Sequence, residues 1–258
     1  MSVLPEKVDA YAGEVYFRES WRDLEALAGN AAGRLAEEHA LILFKPDGLA
    51  AGIVEPALAI LAEQGFAPAA GAVVRLDRQT TRWLWLYRFN VATVDRVWLH
   101  DRINEASPSL VVVLRDERAG TPGALPGTVR LTDCKGPSRP ERRRRDQLRS
   151  RLGVDDRLLN YVHTSDEPAD LVRELGVLLA PAERRALLGR LLDPDSWRPW
   201  FAAQRPLLDA ARAGAPGLWE EVAAAVGEIE FDEPGVERQT LGDAPPARWR
   251  RARERSPA

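Results

Sequence analysis

The segment Asn160-Tyr-Val-His-Thr-Ser-Asp166, with Glu174 eleven residues after His163, holds the residue types that moving a phosphoryl group requires. A histidine just past a strand and facing a cleft attacks phosphorus when one ring nitrogen is free and an acceptor holds the other. Ser165 or Glu174, a helical turn or more beyond, is placed to orient that ring, and Asn160 lies near enough in sequence to bond a sugar hydroxyl or a phosphate oxygen. Taken alone, His163 reads more readily as a satisfied histidine at a strand end. Two further segments alter that weighting. Leu41-Ile-Leu-Phe-Lys-Pro-Asp47 puts Lys45 at a strand end, where an ammonium neutralises phosphate oxygens. Pro126-Gly-Thr-Val-Arg130 adds a guanidinium after a tight turn, with planar donors suited to phosphate. Phosphoryl transfer depends mostly on positioning and charge stabilisation. The reading therefore requires Lys45, Arg130 and Asn160 to converge with His163 on one anion.

The elements that must position these groups follow from hydrophobic spacing. Ala40-Leu-Ile-Leu-Phe44 is a continuous apolar run, predicted as a buried strand, and it breaks at Lys45-Pro-Asp-Gly48. A helix is predicted over 53–65, closed by Gly65, and a second strand over 72–76. Residues 79–106 read as helical, and 109–114 as a third, strongly apolar strand. A loop rich in Gly and Pro spans 120–127, and an arginine-dense stretch spans 135–151. Residues 158–163 read as a strand approaching a turn, and 167–179 as a helix. Strands separated by helices predict an α/β (α+β) sandwich, with helices packed on a sheet.

Outside this core, 20–38 is predicted helical, with Trp21, Leu24, Leu27 and Leu35 on one face. Short helices separated by Pro and Gly are predicted over 181–192, 196–212 and 216–227. The segment 231–258 has few apolar side chains and closes with Arg248-Trp-Arg-Arg-Ala-Arg-Glu-Arg255, which reads as a mobile tail rather than a contact for nucleic acid. The expected organisation is an N-terminal helical extension (1–38), a main domain (39–180) with an insertion at 133–153, a helical extension (181–230) and the tail.

Composition excludes some classes. The apolar share, 45%, suits a globular core, and a net charge of −3 gives no reason to expect nucleic acid or an anionic membrane as partner. No apolar run approaches the ~20 residues that span a bilayer, and no secretory signal is expected. Cys134, the single cysteine, points to a reduced cytoplasm, and nothing beside it marks a nucleophile. Lysine occurs only at Lys7, Lys45 and Lys135, which makes a lysine at a motif position more informative. His39 and His100 match no motif and read as surface or boundary residues. Trp85, Tyr87, Phe89 and Trp98 read as core before ligand platform.

Taken in order, Lys45-Pro-Asp47 after an apolar strand, Pro126-Gly-Thr-Val-Arg130 and Asn160-Tyr-Val-His-Thr-Ser-Asp166 with Glu174 make the chain similar to the nucleoside diphosphate kinases. The resemblance implies a ferredoxin-like βαββαβ core and a ping-pong transfer from a nucleoside triphosphate such as ATP, with Mg²⁺, through a phosphohistidine. It implies His163 as phosphoryl carrier, with Ser165 and Glu174 orienting it. Lys45, Arg130 and Asn160 become the phosphate and ribose contacts; no protein metal ligand is expected. It also implies symmetric homo-oligomers, unless the added segments block those interfaces. Family members carry a helix with a further phosphate-binding arginine before Pro-Gly-Thr; residues 115–125 are too few for it. One or more of Arg139, Arg142, Arg143, Arg144 and Arg145 is the expected substitute. The alternative is a solvated helical insertion without ligand. At the level of function, the alternatives are a catalytically altered or inactive nucleotide-binding module with a regulatory role and an inert scaffold whose C-terminal helices and arginine tail recruit a partner.

Overall fold

The computed structural model describes residues 1–121, 123–193, 195–214, 216–235 and 246–254. Four strands form one sheet: β1 (His39–Phe44), β2 (Phe66–Val74), β3 (Ser109–Asp116) and β4 (Val162–Thr164), in the order β2-β3-β1-β4. Each neighbouring pair is antiparallel, so β1 and β2 run the same way with β3 inserted between them. This is a ferredoxin-like α+β core with added helices. Alternation along β1 sends Leu41 and Leu43 to one face with Val111 and Val113, and Ala40, Ile42 and Phe44 to the other with Leu110 and Val112. Helices cover both faces, which is why the strand reads as an unbroken apolar run. The Val15–Ala28, Pro168–Leu178 and Pro181–Leu191 helices pack on the first face; Val54–Glu63 and Arg205–Ala213 pack on the second.

Several elements differ from the expected spans. β2 begins at Phe66, earlier than predicted, because a register shift between Pro68 and Ala70 lets the edge strand carry a proline. Gly71 is required there: a Cβ would lie 2.2 Å from the Trp200 ring, which packs on the strand. Residues 79–106 form three helices, Arg78–Leu84, Leu86–Phe89 and Val94–Glu105. Asp77 caps the first by accepting from the Thr80 amide at 2.7 Å, and Thr93 caps the third by accepting from the Arg96 amide at 3.2 Å. The N-terminal region is also divided, with Gly29 at φ 52 ending Val15–Ala28 before Ala32–Glu38 begins.

The added segments wrap the same core. Leu208 and Ala211 enter the second face, and Val222 of the Pro216–Val226 helix packs on Leu99 and Ile103 of Val94–Glu105. The expectation of a mobile tail is corrected for its described parts. Trp249, 5% exposed, clusters with Leu4 and Val129 and donates to Glu167 at 3.0 Å, while residues 230–233 bond to Val91, Thr93 and Arg96. Residues 236–245 and 255–258 lie outside the described residues. No helix among the described residues is long and apolar enough to cross a membrane.

Candidate active site around His163

His163 lies in β4 itself, paired with Leu43 of β1, rather than at the end of a longer strand. Its ring opens on a cleft of about 490 Å³ between β4, the Gly127–Lys135 helix, the 136–149 segment and the Trp85–His100 corner. Nε2 lies 3.0 Å from Glu174 Oε1, and Glu174 Oε2 accepts from Ser165 Oγ at 2.6 Å. The Trp85 indole N–H donates to Nδ1 at 3.4 Å. An indole N–H only donates and a carboxylate only accepts, so the two contacts agree on one tautomer, with the proton on Nε2 and the lone pair on Nδ1. Glu174 is placed by the Pro168–Leu178 helix, which starts at a proline and whose N-cap amide, on Glu167, donates to Asp170 at 2.9 Å. Arg173, one residue earlier, donates to the Trp83 carbonyl at 2.9 Å and ties the Trp85 corner to the same helix.

The Lys45-Pro-Asp-Gly48 turn is interlocked with the segment before His163. The Lys45 amide donates to the Tyr161 carbonyl at 2.9 Å, and the Tyr161 amide donates to Asp47 at 3.0 Å. Tyr161 has φ 66, the left-handed region, and a Cβ on Gly48 would come within 2.7 Å of the Tyr161 oxygen. Buried Lys45 lines the cleft and donates to the Leu158 carbonyl at 2.9 Å, with Asp47 at 3.4 Å; burial lowers its ammonium pKa, against the pull of Asp47. Asn160 also lines the cleft and accepts from Arg149 at 2.9 Å.

Arg130 does not join them. Its guanidinium pairs with Asp116, donates to the Gln64 carbonyl at 2.8 Å and lies 4.9 Å from the Phe66 ring centre, outside the cleft wall. This corrects the expectation that it converges with Lys45, Asn160 and His163 on one cleft. Pro126-Gly-Thr-Val-Arg130 is the first turn of a helix, not a tight turn, and it faces a carboxylate buried at the end of β3. A buried carboxylate without a counter-charge is costly, so Asp116 claims the arginine.

Arg149 takes the inner position, although sequence reasoning stopped at Arg145. It is buried and donates to the carbonyls of Gly136 at 2.8 Å and Val162 at 2.6 Å as well as to Asn160. Burial pulls its guanidinium down to about 9, which leaves it charged at neutral pH. Only its place in the arginine-dense stretch marked it beforehand. Of the five arginines expected to substitute, Arg139, Arg142 and Arg144 line the cleft. Arg143 turns to the carbonyls of Pro137, Ser138, Val154 and Asp156, and Arg144 is held by Asp133 at 3.0 and 3.1 Å. Arg145 is outside the wall. The insertion is mostly irregular, with one turn at Pro140–Arg142 and a short helix at Leu148–Arg151. Lys135, which donates to Thr164 at 2.7 Å, and Arg88, paired with Asp166, add charge that the motifs did not mark.

The cleft wall also takes a residue from the C-terminal region, Phe231. Phe231 lies 3.9 Å from the Arg157 guanidinium and 5.7 Å from that of Arg96, and Asp232 pairs with the same two arginines at 3.5 and 2.8 Å. Of the two histidines expected at the surface or a boundary, His100 is half-buried and His39 lies inside. His39 is buried, with Nδ1 2.8 Å from the Leu35 carbonyl, and burial lowers its pKa. His100 lines the cleft beside Trp85 and Phe89. Cys134 is partly buried, which pushes its thiol pKa up and leaves it a poor nucleophile.

Among the described residues no group of three or more His, Cys, Asp or Glu could hold a metal. The two carboxylates in the wall, Asp133 and Asp166, are engaged by Arg144 and Arg88. Burial alone would raise the Asp166 carboxyl, yet Arg88, Lys135 and Lys7 hold it well below its ordinary range. The residues present do not form a metal centre, so an Mg²⁺ ion would have to be held by a nucleotide's own phosphates.

The nucleoside diphosphate kinase family model matches residues 38–184. Solved structures similar to the chain include the Aquifex aeolicus nucleoside diphosphate kinase, at 21% identity over 57% of this chain and 97% of that one (TM-score 0.45). The Pyrobaculum aerophilum NDP kinase is similar at 19% identity over 57% and 97% (TM-score 0.44). A Borrelia burgdorferi nucleoside-diphosphate kinase with bound vanadate and ADP is similar at 16% identity over 56% and 88% (TM-score 0.45). No curated protein matches the chain. With its family model spanning more than half of the residues, the chain belongs to the nucleoside diphosphate kinase family.

Proposed function

We propose that the chain moves the γ-phosphoryl group of ATP, or of another nucleoside triphosphate, through Nδ1 of His163 to a nucleoside diphosphate or a related phosphorylated acceptor. The observation that carries this reading is the ring's fixed tautomer, with Nε2 bound to Glu174 and the lone pair on Nδ1, in a cleft whose wall also holds Lys45, Lys135 and Arg149. In the first half-reaction the lone pair forms an N–P bond while the bond from γ-phosphorus to its bridging oxygen breaks. That electron pair leaves on the nucleoside diphosphate. The Nε2 proton stays directed at Glu174, whose charge offsets the positive ring. In the second half-reaction a terminal phosphate oxygen of the acceptor attacks phosphorus and the pair returns to Nδ1. Fixed cations stabilise the charge on the transferring oxygens without reorganising. Arg139 and Arg142, which have no side-chain partner among the described residues, are assigned to the remaining phosphates in place of Arg130. The transferring unit is assigned to residues 39–180.

A second reading, a nucleotide-binding module without turnover, is favoured by the indole N–H that already occupies Nδ1. Incubation with [γ-³²P]ATP and Mg²⁺, followed by a test for acid-labile, base-stable label, separates the two. The expected outcome is label on the native chain and none on His163→Ala. Measurable ATP binding with no label on either protein would establish the module.

A further inference from the structure

The corner that follows the Arg78–Leu84 helix brings four rings together: Trp85, Phe89, His100 and His163. Trp85 lies almost equally close to the two histidines, with ring centres 5.4 Å from His163 and 5.5 Å from His100. An indole has a single N–H and no acceptor. Here that hydrogen is spent on Nδ1 of His163 at 3.4 Å. Nδ1 of His100 is shut off from solvent and has no hydrogen-bond partner among the described residues. Buried polar nitrogens are rarely left in that condition, and an orphan beside a reacting group calls for an explanation. Burial, with Lys45, Arg96 and Arg82 nearby, holds the His100 pKa well below its ordinary value, so its imidazole is neutral and has a lone pair to offer.

The phosphoryl-carrier reading makes this arrangement a problem with a local answer. A phosphorus atom can bond to Nδ1 of His163 only if the indole N–H gives up that lone pair, and the displaced donor must turn either to the incoming phosphoryl oxygens or to a new acceptor in the corner. Trp85 is 8% exposed, so water is a poor substitute. Resting on that reading, we infer that Trp85 is a positioning residue with two acceptors, its N–H lying on Nδ1 of His163 at rest and turning to Nδ1 of His100 when the phosphoryl group takes the first nitrogen. At rest the indole fixes the tautomer and covers the nucleophile. After transfer, the orphan nitrogen is filled and no donor is stranded. The anchor for the motion is Arg173, which holds the Trp83 carbonyl at 2.9 Å so that only the end of the corner need turn.

Four variants of the full chain test this: Trp85→Phe, His100→Phe, His100→Asn and the double Trp85→Phe/His100→Phe. The readouts are the single-turnover rate of ³²P labelling from [γ-³²P]ATP and, separately, the Kd for ATP. His100→Phe keeps an aromatic ring and loses the acceptor; labelling is expected to slow about tenfold, with Kd within about twofold of native. His100→Asn, whose side-chain oxygen lies near the place of Nδ1, is expected to recover most of the rate. In the Trp85→Phe background there is no N–H to strand, so adding His100→Phe is expected to change nothing further. Native-like labelling by His100→Phe, no recovery with His100→Asn, or the same tenfold loss in the Trp85→Phe background would each overturn the inference. A native chain that binds ATP and never labels would instead remove the phosphoryl-carrier reading, and this inference with it.

Discussion

Lys45 opens one proline-containing motif and Arg130 closes another, and each was expected to reach the same anion. They stand at opposite ends of β1: Lys45 follows its last residue, while Asp116, which holds Arg130, flanks its first. Six residues of strand separate those ends by roughly 20 Å. What divides their fates is the nearest buried carboxylate. Asp47 sits in the same turn as Lys45, accepts from the Tyr161 amide and stays 3.4 Å from the ammonium, so Lys45, which also donates to the Leu158 carbonyl, keeps its place in the cleft wall. Asp116, like Asp47, has one amide partner and one oxygen without a partner among the described residues, but it lies at the far end of β1, away from the cleft, and draws the Arg130 guanidinium there. A motif places a Cα atom; the local charge balance decides where a long side chain ends. The buried guanidinium of the cleft wall is instead that of Arg149, whose hydrogen-bond partners are carbonyl oxygens rather than carboxylates.

That contrast can be broken or sharpened by substitution. Arg130→Ala leaves a buried charge uncompensated and is expected to lower folding stability by about 3–5 kcal/mol. Urea denaturation measures it, while the ATP affinity of the folded fraction stays within about twofold; a tenfold affinity loss with stability intact would restore Arg130 to the site. Arg149→Lys keeps the charge and loses the fork that spans Gly136, Asn160 and Val162. Calorimetry is expected to find ATP bound about 10–30-fold more weakly, roughly 2 kcal/mol. Reversing Arg139 and Arg142 to Glu should weaken ATP by about tenfold, more at low salt than at high. Unchanged affinity there would return the insertion to a solvated loop. Arg143→Ala, which removes only carbonyl contacts, is expected to cost about 1 kcal/mol of stability and no affinity.

The sheet, both of its faces and the cluster of His163, Ser165, Glu174, Lys45 and Asn160 were legible because each depends on local signals: apolar runs, a Pro-Asp-Gly break and fixed spacings around one histidine. Arg130 was misread because its partner, Asp116, lies across the sheet from the motif and carries no mark of burial in the sequence. Arg149 was missed for the opposite reason: inside an arginine-dense stretch, nothing local tells the one buried guanidinium from those in water. The 231–258 segment looked mobile by composition, yet Trp249 and Phe231 are large anchors set among charges, and single aromatic contacts leave no periodicity to detect. His100 was passed over because a histidine's neighbours are set by tertiary packing, here by Trp85 and Phe89.

The left-handed backbone at Tyr161 has a further consequence. A non-glycine residue in that region is under a strain of about 1–3 kcal/mol and stays there only while its surroundings insist. Those surroundings are the Lys45 amide, the Asp47 carboxylate and the bare Cα of Gly48, all on one turn. The residue beneath that clasp sits between Asn160 and Val162, two residues before His163. The turn and the histidine segment therefore behave as a loaded latch: if the clasp slips, the strained peptide relaxes and carries the amide and the ring out of register together. The two halves of the cleft are assembled jointly or not at all.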